Sequence, residues 1–263
     1  MTATERSGAG MTRTYHTILF DVQDHVATVT LNRPESRNAL SSQMCAELVH
    51  VMEAIAADPG VHVALVMGNG PAFCAGADLK ERKTMNSQEM TARRVQGFAA
   101  YAAIERLPQP VVAVVHGPAF GSGCEIAGAC DFVLASSEAV FCYPEVGWGT
   151  VGATQRLPRI AGARKAKELL FTGRRFDAAE AREIGLVNHV YAPDALRQEA
   201  LEMAAAMARA QPLTMRLSKR SIDQGLATTR EGAMAIELLA IEENLRGTDW
   251  QGAIAGFGKE PQA

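Results

Sequence analysis

Apolar and polar positions change their spacing along this chain, and each change marks an element. Residues 16–34, HTILFDVQDHVATVTLNRP, alternate in the way of half-buried strands and predict two strands joined by a turn near Gln23 and Asp24, closed by Pro34. Residues 40–60, LSSQMCAELVHVMEAIAADPG, place apolar residues at helical spacing. Ser41 or Ser42 suits the N-cap, and Asp58-Pro59-Gly60 ends the helix. Residues 61–68 predict a short buried strand, and 87–107 a second helix halted before Pro108 and Pro110. PVVAVVHG (110–117) has almost no alternation, the pattern of a strand buried on both faces. Strands are predicted again at 131–136 and 139–145. After Gly173 the pattern becomes mainly helical, with starts near Asp177, Pro193 and Pro212.

Strand and helix alternate from 61 to about 190, which predicts an α/β layered fold. The reading divides the chain into a flexible tail (1–14), a core that carries the site (15–195) and an all-helical region (196–263). The run AMAIELLAIEENL (233–245) is crowded with apolar residues and predicts packing on a neighbour, either in this chain or in another subunit.

Composition narrows the function. A chain of 263 residues makes one large domain, or one domain with an appendage. With 48% hydrophobic and 21% charged residues it falls in the soluble globular range. The net charge is −3 and there is no long basic run, so no nucleic-acid partner is expected. The pairs Arg93-Arg94 and Arg174-Arg175 are expected on the solvated surface. The five cysteines form no CxxC and are expected as free thiols of a reducing compartment. The histidines lack metal-ligand spacing, so no metal is expected. No apolar run is long enough for a membrane span, and the first ten residues do not resemble a secretory signal. The expected location is cytoplasmic.

Three segments carry candidate chemistry. AFGSGCEIAGACD (119–131) is a glycine-rich turn between a buried strand and a helix, and such a turn aims backbone N–H groups at a ligand. It is not a dinucleotide loop, because Ile126 stands where the last glycine of that motif would be. Ser122 and Glu125 also match a helix capping box, in which Glu125 would only bond the Ser122 N–H. PAFCAGADLKE (71–81) is a second small-residue turn after a buried strand and offers a further N–H, assigned to Ala75. Two converging N–H groups form an oxyanion hole. Glu145, in YPEVGWG, is a second carboxylate able to pair with Glu125 for acid–base work. Trp148 is a candidate acyl-pocket residue, and Tyr143 a packing aromatic.

Together these segments resemble the enoyl-CoA hydratase/isomerase (crotonase) superfamily over roughly residues 15–257. LNRPESRNAL (31–40) is similar to the family's motif near the CoA moiety, FCAGADLKE (73–81) to its first oxyanion loop, and GPAFGSGCEIAGACD (117–131) to its second. PEVGWG and TQRLPR resemble the segment of the second catalytic glutamate, and TGRRFDAAEAREIGLVNHV (172–190) a family signature. CAGADLKER and the C-terminal helix look most like methylglutaconyl-CoA hydratase-like members. The chain departs from the pattern at Ser122, where the family has glycine, in a shorter segment after Glu145, and in its GFGKEPQA terminus.

The resemblance implies a crotonase (ClpP-like) fold of stacked ββα units with a C-terminal all-helical region, assembled as a homotrimer or a dimer of trimers. It implies Glu125 and Glu145 as catalytic carboxylates and Ala75 and Ser122 as oxyanion-hole donors. Ala75, Gly76, Ala77, Asp78, Leu79, Ser122 and Trp148 would touch substrate. It implies an acyl-CoA substrate and no cofactor beyond that CoA. The expected activity is hydration of a 2-enoyl-CoA. The alternatives are double-bond isomerisation, C–C cleavage, or acyl-CoA binding without catalysis.

Overall fold

The structure is a computed structural model, and it describes residues 14–255. Nearly all of the expected N-terminal tail and the whole GFGKEPQA terminus lie outside the described residues.

The chain begins with the hairpin β1 (Ile18–Gln23) and β2 (Val26–Leu31), paired antiparallel. Its two turn residues, Asp24 and His25, both have positive φ (48° and 67°), the backbone that matches the twist of a tight hairpin. Helix α1 (Ser42–Ala57) starts at Ser41, whose side chain accepts the Met44 N–H. Strand β3 (Val63–Gly68), the short helix α2 (Leu79–Arg82) and helix α3 (Ser87–Glu105) follow. A capping box between Asn86 and Glu89 begins α3. Next come β4 (Val111–Val115), β5 (Ala119–Phe120), α4 (Ser122–Ala129), β6 (Phe132–Ser136) and β7 (Val140–Cys142). The second half holds α5 (Arg156–Thr172), β8 (Arg175–Asp177), α6 (Ala178–Glu183), β9 (His189–Tyr191), α7 (Leu196–Ala208), α8 (Pro212–Gly225), α9 (Arg230–Gly247) and α10 (Trp250–Ala255).

Six strands form one sheet in the order β1-β2-β3-β4-β6-β9, parallel except for the first pair. Three short strands form a second sheet, β5-β7-β8. The large sheet is covered on both faces. Val63, Leu65 and Met67 of β3 and Val112 and Val114 of β4 pack with α7, while Ala64, Val66, Val111, Ala113 and Val115 face the main core. A period of two buried on both sides leaves no polar alternation, which is why β4 reads as an unbroken apolar run.

Two predicted elements differ. The strand expected over 139–145 spans only Val140–Cys142, and the chain bends at Tyr143-Pro144 into a short 3₁₀ turn over Val146–Trp148. The helix expected near Pro193 starts at Leu196. Helix α5 was not predicted at all. It contains Pro158, and Gly162 has φ 76°, so it is two helical pieces joined at a kink with no continuous period to detect. Helix α9 leaves Leu238, Leu239, Ile241 and Leu245 exposed.

Candidate active site

β3 and β4 are parallel neighbours, so the chain leaves both at the same edge of the sheet. The two small-residue loops therefore meet. Cys74 and Ala119 form a parallel bridge, with the Cys74 N–H donating to Pro118 O at 3.2 Å and the Phe120 N–H to Cys74 O at 2.9 Å. Gly123 makes the approach possible. A Cβ there would sit 2.2 Å from the Cys74 carbonyl oxygen, so any larger residue would push the loops apart.

The motif at 31–40 braces this junction. Asn38 is fully buried and has positive φ. Its side-chain amide donates to Asn69 O and Ala72 O, each at 2.8 Å, and its side-chain oxygen accepts the Arg33 N–H at 2.8 Å. Arg33 pairs with Asp78 at 2.9 Å. Burial raises the Asp78 carboxyl, but Arg33 and the N–H groups of Lys80 and Glu81 outweigh it and hold the group below its ordinary value. Asp78, expected to touch substrate, is thus spent on Arg33 and on capping α2.

The N–H expected as the first donor, that of Ala75, is occupied. The Ala75 N–H donates to Arg37 O at 2.9 Å. Arg37 has left-handed backbone (φ 51°), and that turn delivers its carbonyl to the loop. Two residues on, Ala77 bridges to Leu40: the Leu40 N–H donates to Gly76 O and the Asp78 N–H to Leu40 O. In a parallel bridge the flanking residues supply these bonds, so Ala77's own N–H points away from Leu40. It has no acceptor among the described residues.

The second expected donor is the Ser122 N–H. Gly121, not Ser122, is the N-cap of α4, and no side chain caps this helix. The Ser122 N–H is therefore an orphan of the first turn, with the helix dipole behind it. Ala77 and Ser122 each lie three residues beyond the Cys74–Ala119 bridge, so the two free N–H groups come from matched positions on adjacent loops. The capping-box reading fails on the same geometry, because the Glu125 side chain turns away from the Ser122 N–H to Arg156.

Both glutamates face one cavity of about 30 Å³, lined also by Ser122, Tyr101, Gly152 and Ala153. That volume suits about one water molecule. Glu125 is buried. Its Oε2 accepts from Arg156 Nη1 at 2.9 Å, while its Oε1 is buried without a partner. Arg156 is itself held. Its Nε and Nη2 donate to the two Glu105 oxygens at 2.8 and 2.7 Å, and its guanidinium lies 5.3 Å above the Tyr101 ring. Tyr101 and Ser122 exchange a side-chain hydrogen bond. Burial raises the Glu125 carboxyl above its ordinary value and Arg156 partly offsets this.

Glu145 begins the 3₁₀ turn after Pro144, and its Oε2 is buried without a partner. A Cβ on Gly121, which has φ 48°, would lie 2.9 Å from Glu145 Oε1. Glycine is thus required there for its backbone and for the approach of the carboxylate. Burial raises the Glu145 carboxyl and neighbouring Glu125 adds to the rise. Arg94 and Arg82 oppose it only through space. No salt bridge to Glu145 forms among the described residues.

Trp148, 69% exposed, and Leu79, also exposed, lie outside this cavity. Arg93, expected in solvent, is buried, donating to Leu40 O and Cys45 Sγ and pairing with Glu81. Arg156 and Tyr101 were not singled out. The TQR stretch was the available signal, but it gave no role to its arginine. Tyr143 is a buried packing aromatic, stacked on Phe176.

Comparison with known proteins agrees with this geometry. The family model described as enoyl-CoA hydratase/isomerase matches residues 21–260. The chain is 39% identical over 244 residues to the short-chain-enoyl-CoA hydratase of Clostridium acetobutylicum, covering 91% of this chain and 94% of that one. It is 37% identical over 227 residues to the crotonyl-CoA hydratase of Syntrophomonas wolfei, covering 85% and 87%. The crystal structure of an enoyl-CoA hydratase from Bacillus anthracis superposes with a TM-score of 0.89 at 35% identity, covering 92% of this chain and 96% of that one. With its crotonase fold, the two meeting loops and the family match over nearly its whole length, the chain belongs to the enoyl-CoA hydratase/isomerase family.

Proposed function

We propose that this protein adds water across the 2,3 double bond of a 2-enoyl-CoA thioester. The observation that carries the reading is the pair of buried, unpartnered carboxylate oxygens, Glu125 Oε1 and Glu145 Oε2, at one water-sized cavity. Ser122, whose N–H has no acceptor among the described residues, lines the same cavity, and the free N–H of Ala77 comes from the adjacent loop.

The thioester carbonyl oxygen would accept from the Ala77 and Ser122 N–H groups. Ala77 replaces Ala75 in this role because the Ala75 N–H is already spent. Negative charge grows on that oxygen as water adds to C3, and each preorganised donor of this kind contributes about 2.7–4 kcal/mol. Glu125, held by Arg156, is the better-stabilised carboxylate and takes a proton from the attacking water. Glu145 is raised above its ordinary value with no bonded cation to offset the rise, so it is assigned to deliver the proton to C2. One proton leaves the water and one reaches carbon, and exchange between the two carboxyls resets the site. The exposed apolar residues of α9 would be covered by further copies in a homotrimer or dimer of trimers, which a monomeric mass in solution would contradict.

The test mixes the protein with crotonyl-CoA and follows loss of the conjugated-thioester absorbance. Hydration is expected, and Glu125→Gln and Glu145→Gln should each lower kcat by roughly 10²–10⁴-fold. A product with a shifted double bond and no added water would contradict hydration. So would full activity in either variant.

A further inference from the structure

Glu145 stands at the head of a loop with little hold of its own on the rest of the fold. Val146, Gly147, Trp148, Gly149 and Val151 are all exposed, so burial anchors little of it. Its backbone bonds close on themselves. The Trp148 and Thr150 N–H groups donate to Glu145 O at 3.1 and 3.0 Å, and the Gly149 N–H to Val146 O at 3.0 Å. At the end of the loop Ala153 has φ 56°, a backbone that a residue with a Cβ adopts only where its surroundings enforce it. Among the described residues, every hydrogen bond that reaches 146–152 from another element comes from one side chain, Arg94.

Arg94 is a fixed post for that loop. It stands on α3 next to Arg93, which is buried and bound to Glu81, Leu40 O and Cys45. Its Nη1 donates to Val151 O at 2.8 Å and its Nη2 to the Thr150 hydroxyl, two acceptors that suit the planar fork of a guanidinium. Gly152 lies between this fork and the glutamate. A Cβ there would sit 3.3 Å from Arg94 Nη1 and 2.9 Å from Glu145 Cγ. Gly121 closes on the same carboxylate from the other side. Arg94 acts on Glu145 through space but is bonded to the loop, so its direct hold is on backbone. Arg82 lines the same cavity and makes no bond to the loop. Without the fork of Arg94, the loop would let the carboxylate turn toward water, where its charged form is better solvated.

We propose that Arg94 is a positioning residue for Glu145: by tying Thr150 and Val151 to α3, its guanidinium holds the loop that keeps the Glu145 carboxylate at the cavity. The chemistry that Glu145 performs there rests on the hydratase reading above. Glu125 needs no such tie, because it stands on a buried helix and is bonded to Arg156. The consequence is specific: loss of Arg94 disturbs one of the two carboxylates and leaves the other in place.

The experiment joins amide hydrogen exchange on the full chain with the kinetics of crotonyl-CoA hydration. In Arg94→Gln the Trp148, Gly149 and Thr150 amides are expected to exchange about tenfold faster or more, the scale of a lost hydrogen bond from a charged donor, while those of α4 stay as they were. The kcat should fall by about 10–10²-fold, the cost of a misplaced group, with KM nearly unchanged. Arg94→Lys should recover part of that loss. In a Glu145→Gln background Arg94→Gln should cost little more, because it acts through Glu145. Thr150→Val cuts the same tie from the loop side and gives a second reading if the Arg94 variants do not fold. Unchanged exchange at 148–150 in Arg94→Gln overturns the proposal. A fall in kcat as large in the Glu145→Gln background as in the wild type also overturns it. Amide exchange needs no turnover, so a wild type that leaves crotonyl-CoA unhydrated would sink the hydratase reading alone, and the exchange at these amides would still decide whether Arg94 holds the loop.

Discussion

The two halves of the site hold the same side chain in different surroundings. Glu125 stands in the first turn of a buried helix, and one of its oxygens is fixed by Arg156, which is braced by Glu105 and by the face of Tyr101. Glu145 stands at the start of a 3₁₀ turn, with Gly121 pressed against one oxygen and no cation bonded to it. Burial raises both carboxyls, but only Glu125 has a bonded counter-charge. Two identical residues in one cavity thus differ in whether a bonded cation offsets the rise, and that difference suits a reaction that removes a proton at one atom and adds one at the next.

Removing the brace should blur the difference most strongly. Arg156→Gln takes away the charge that opposes the burial of Glu125, so the Glu125 carboxyl rises further. The ionised base is then present only at higher pH. Activity near neutral pH is expected to fall by about tenfold or more, of the order of one general-base contribution. The acid limb of the kcat/KM profile should move to higher pH, with activity partly regained there. A uniform loss with an unmoved profile would mean that Arg156 serves only the fold.

A smaller effect should sharpen the comparison from the other side. The Glu145 carboxyl is raised above its ordinary value of 4.5. The native state therefore keeps a proton that the unfolded chain has lost. The contribution of this one group to stability is most favourable below 4.5 and declines as pH rises from there through the native value. Glu145→Gln removes this dependence. Its Tm is expected to exceed that of the wild type at pH 8, with the gap closing toward pH 4. A gap independent of pH would show that Glu145 is not held toward its neutral form.

What the sequence revealed, and what it hid, follows from how far each cause lies along the chain. Ser122, Glu125 and Glu145 were legible because their placement is local: a buried strand, a small-residue turn, then a helix or bend. β4 was legible because a strand covered on both faces must be apolar throughout. The free N–H of the first loop lies two residues beyond Ala75, at Ala77, because the direction of each N–H is set by Arg37 and Leu40, which belong to a different segment. Arg93 was expected in solvent, and its burial depends on partners at positions 40, 45 and 81. Arg156 lies on a helix whose proline and kink hide its period, and its contact with Glu125 crosses 31 positions of sequence. Arg82 and Arg94 gave no sign of facing the same cavity as the glutamates.

The division of labour between Glu125 and Glu145 is tested most directly by α-hydrogen exchange. Butyryl-CoA cannot be hydrated, but a group that delivers a proton to C2 can also exchange the α-hydrogen of this thioester with deuterium from the solvent. In D₂O, the wild type and Glu125→Gln are expected to exchange it, and Glu145→Gln is expected to lose exchange by about 10²-fold or more, the scale of one general acid–base group. Exchange that survives in Glu145→Gln and disappears in Glu125→Gln would reverse the assignment and contradict the account.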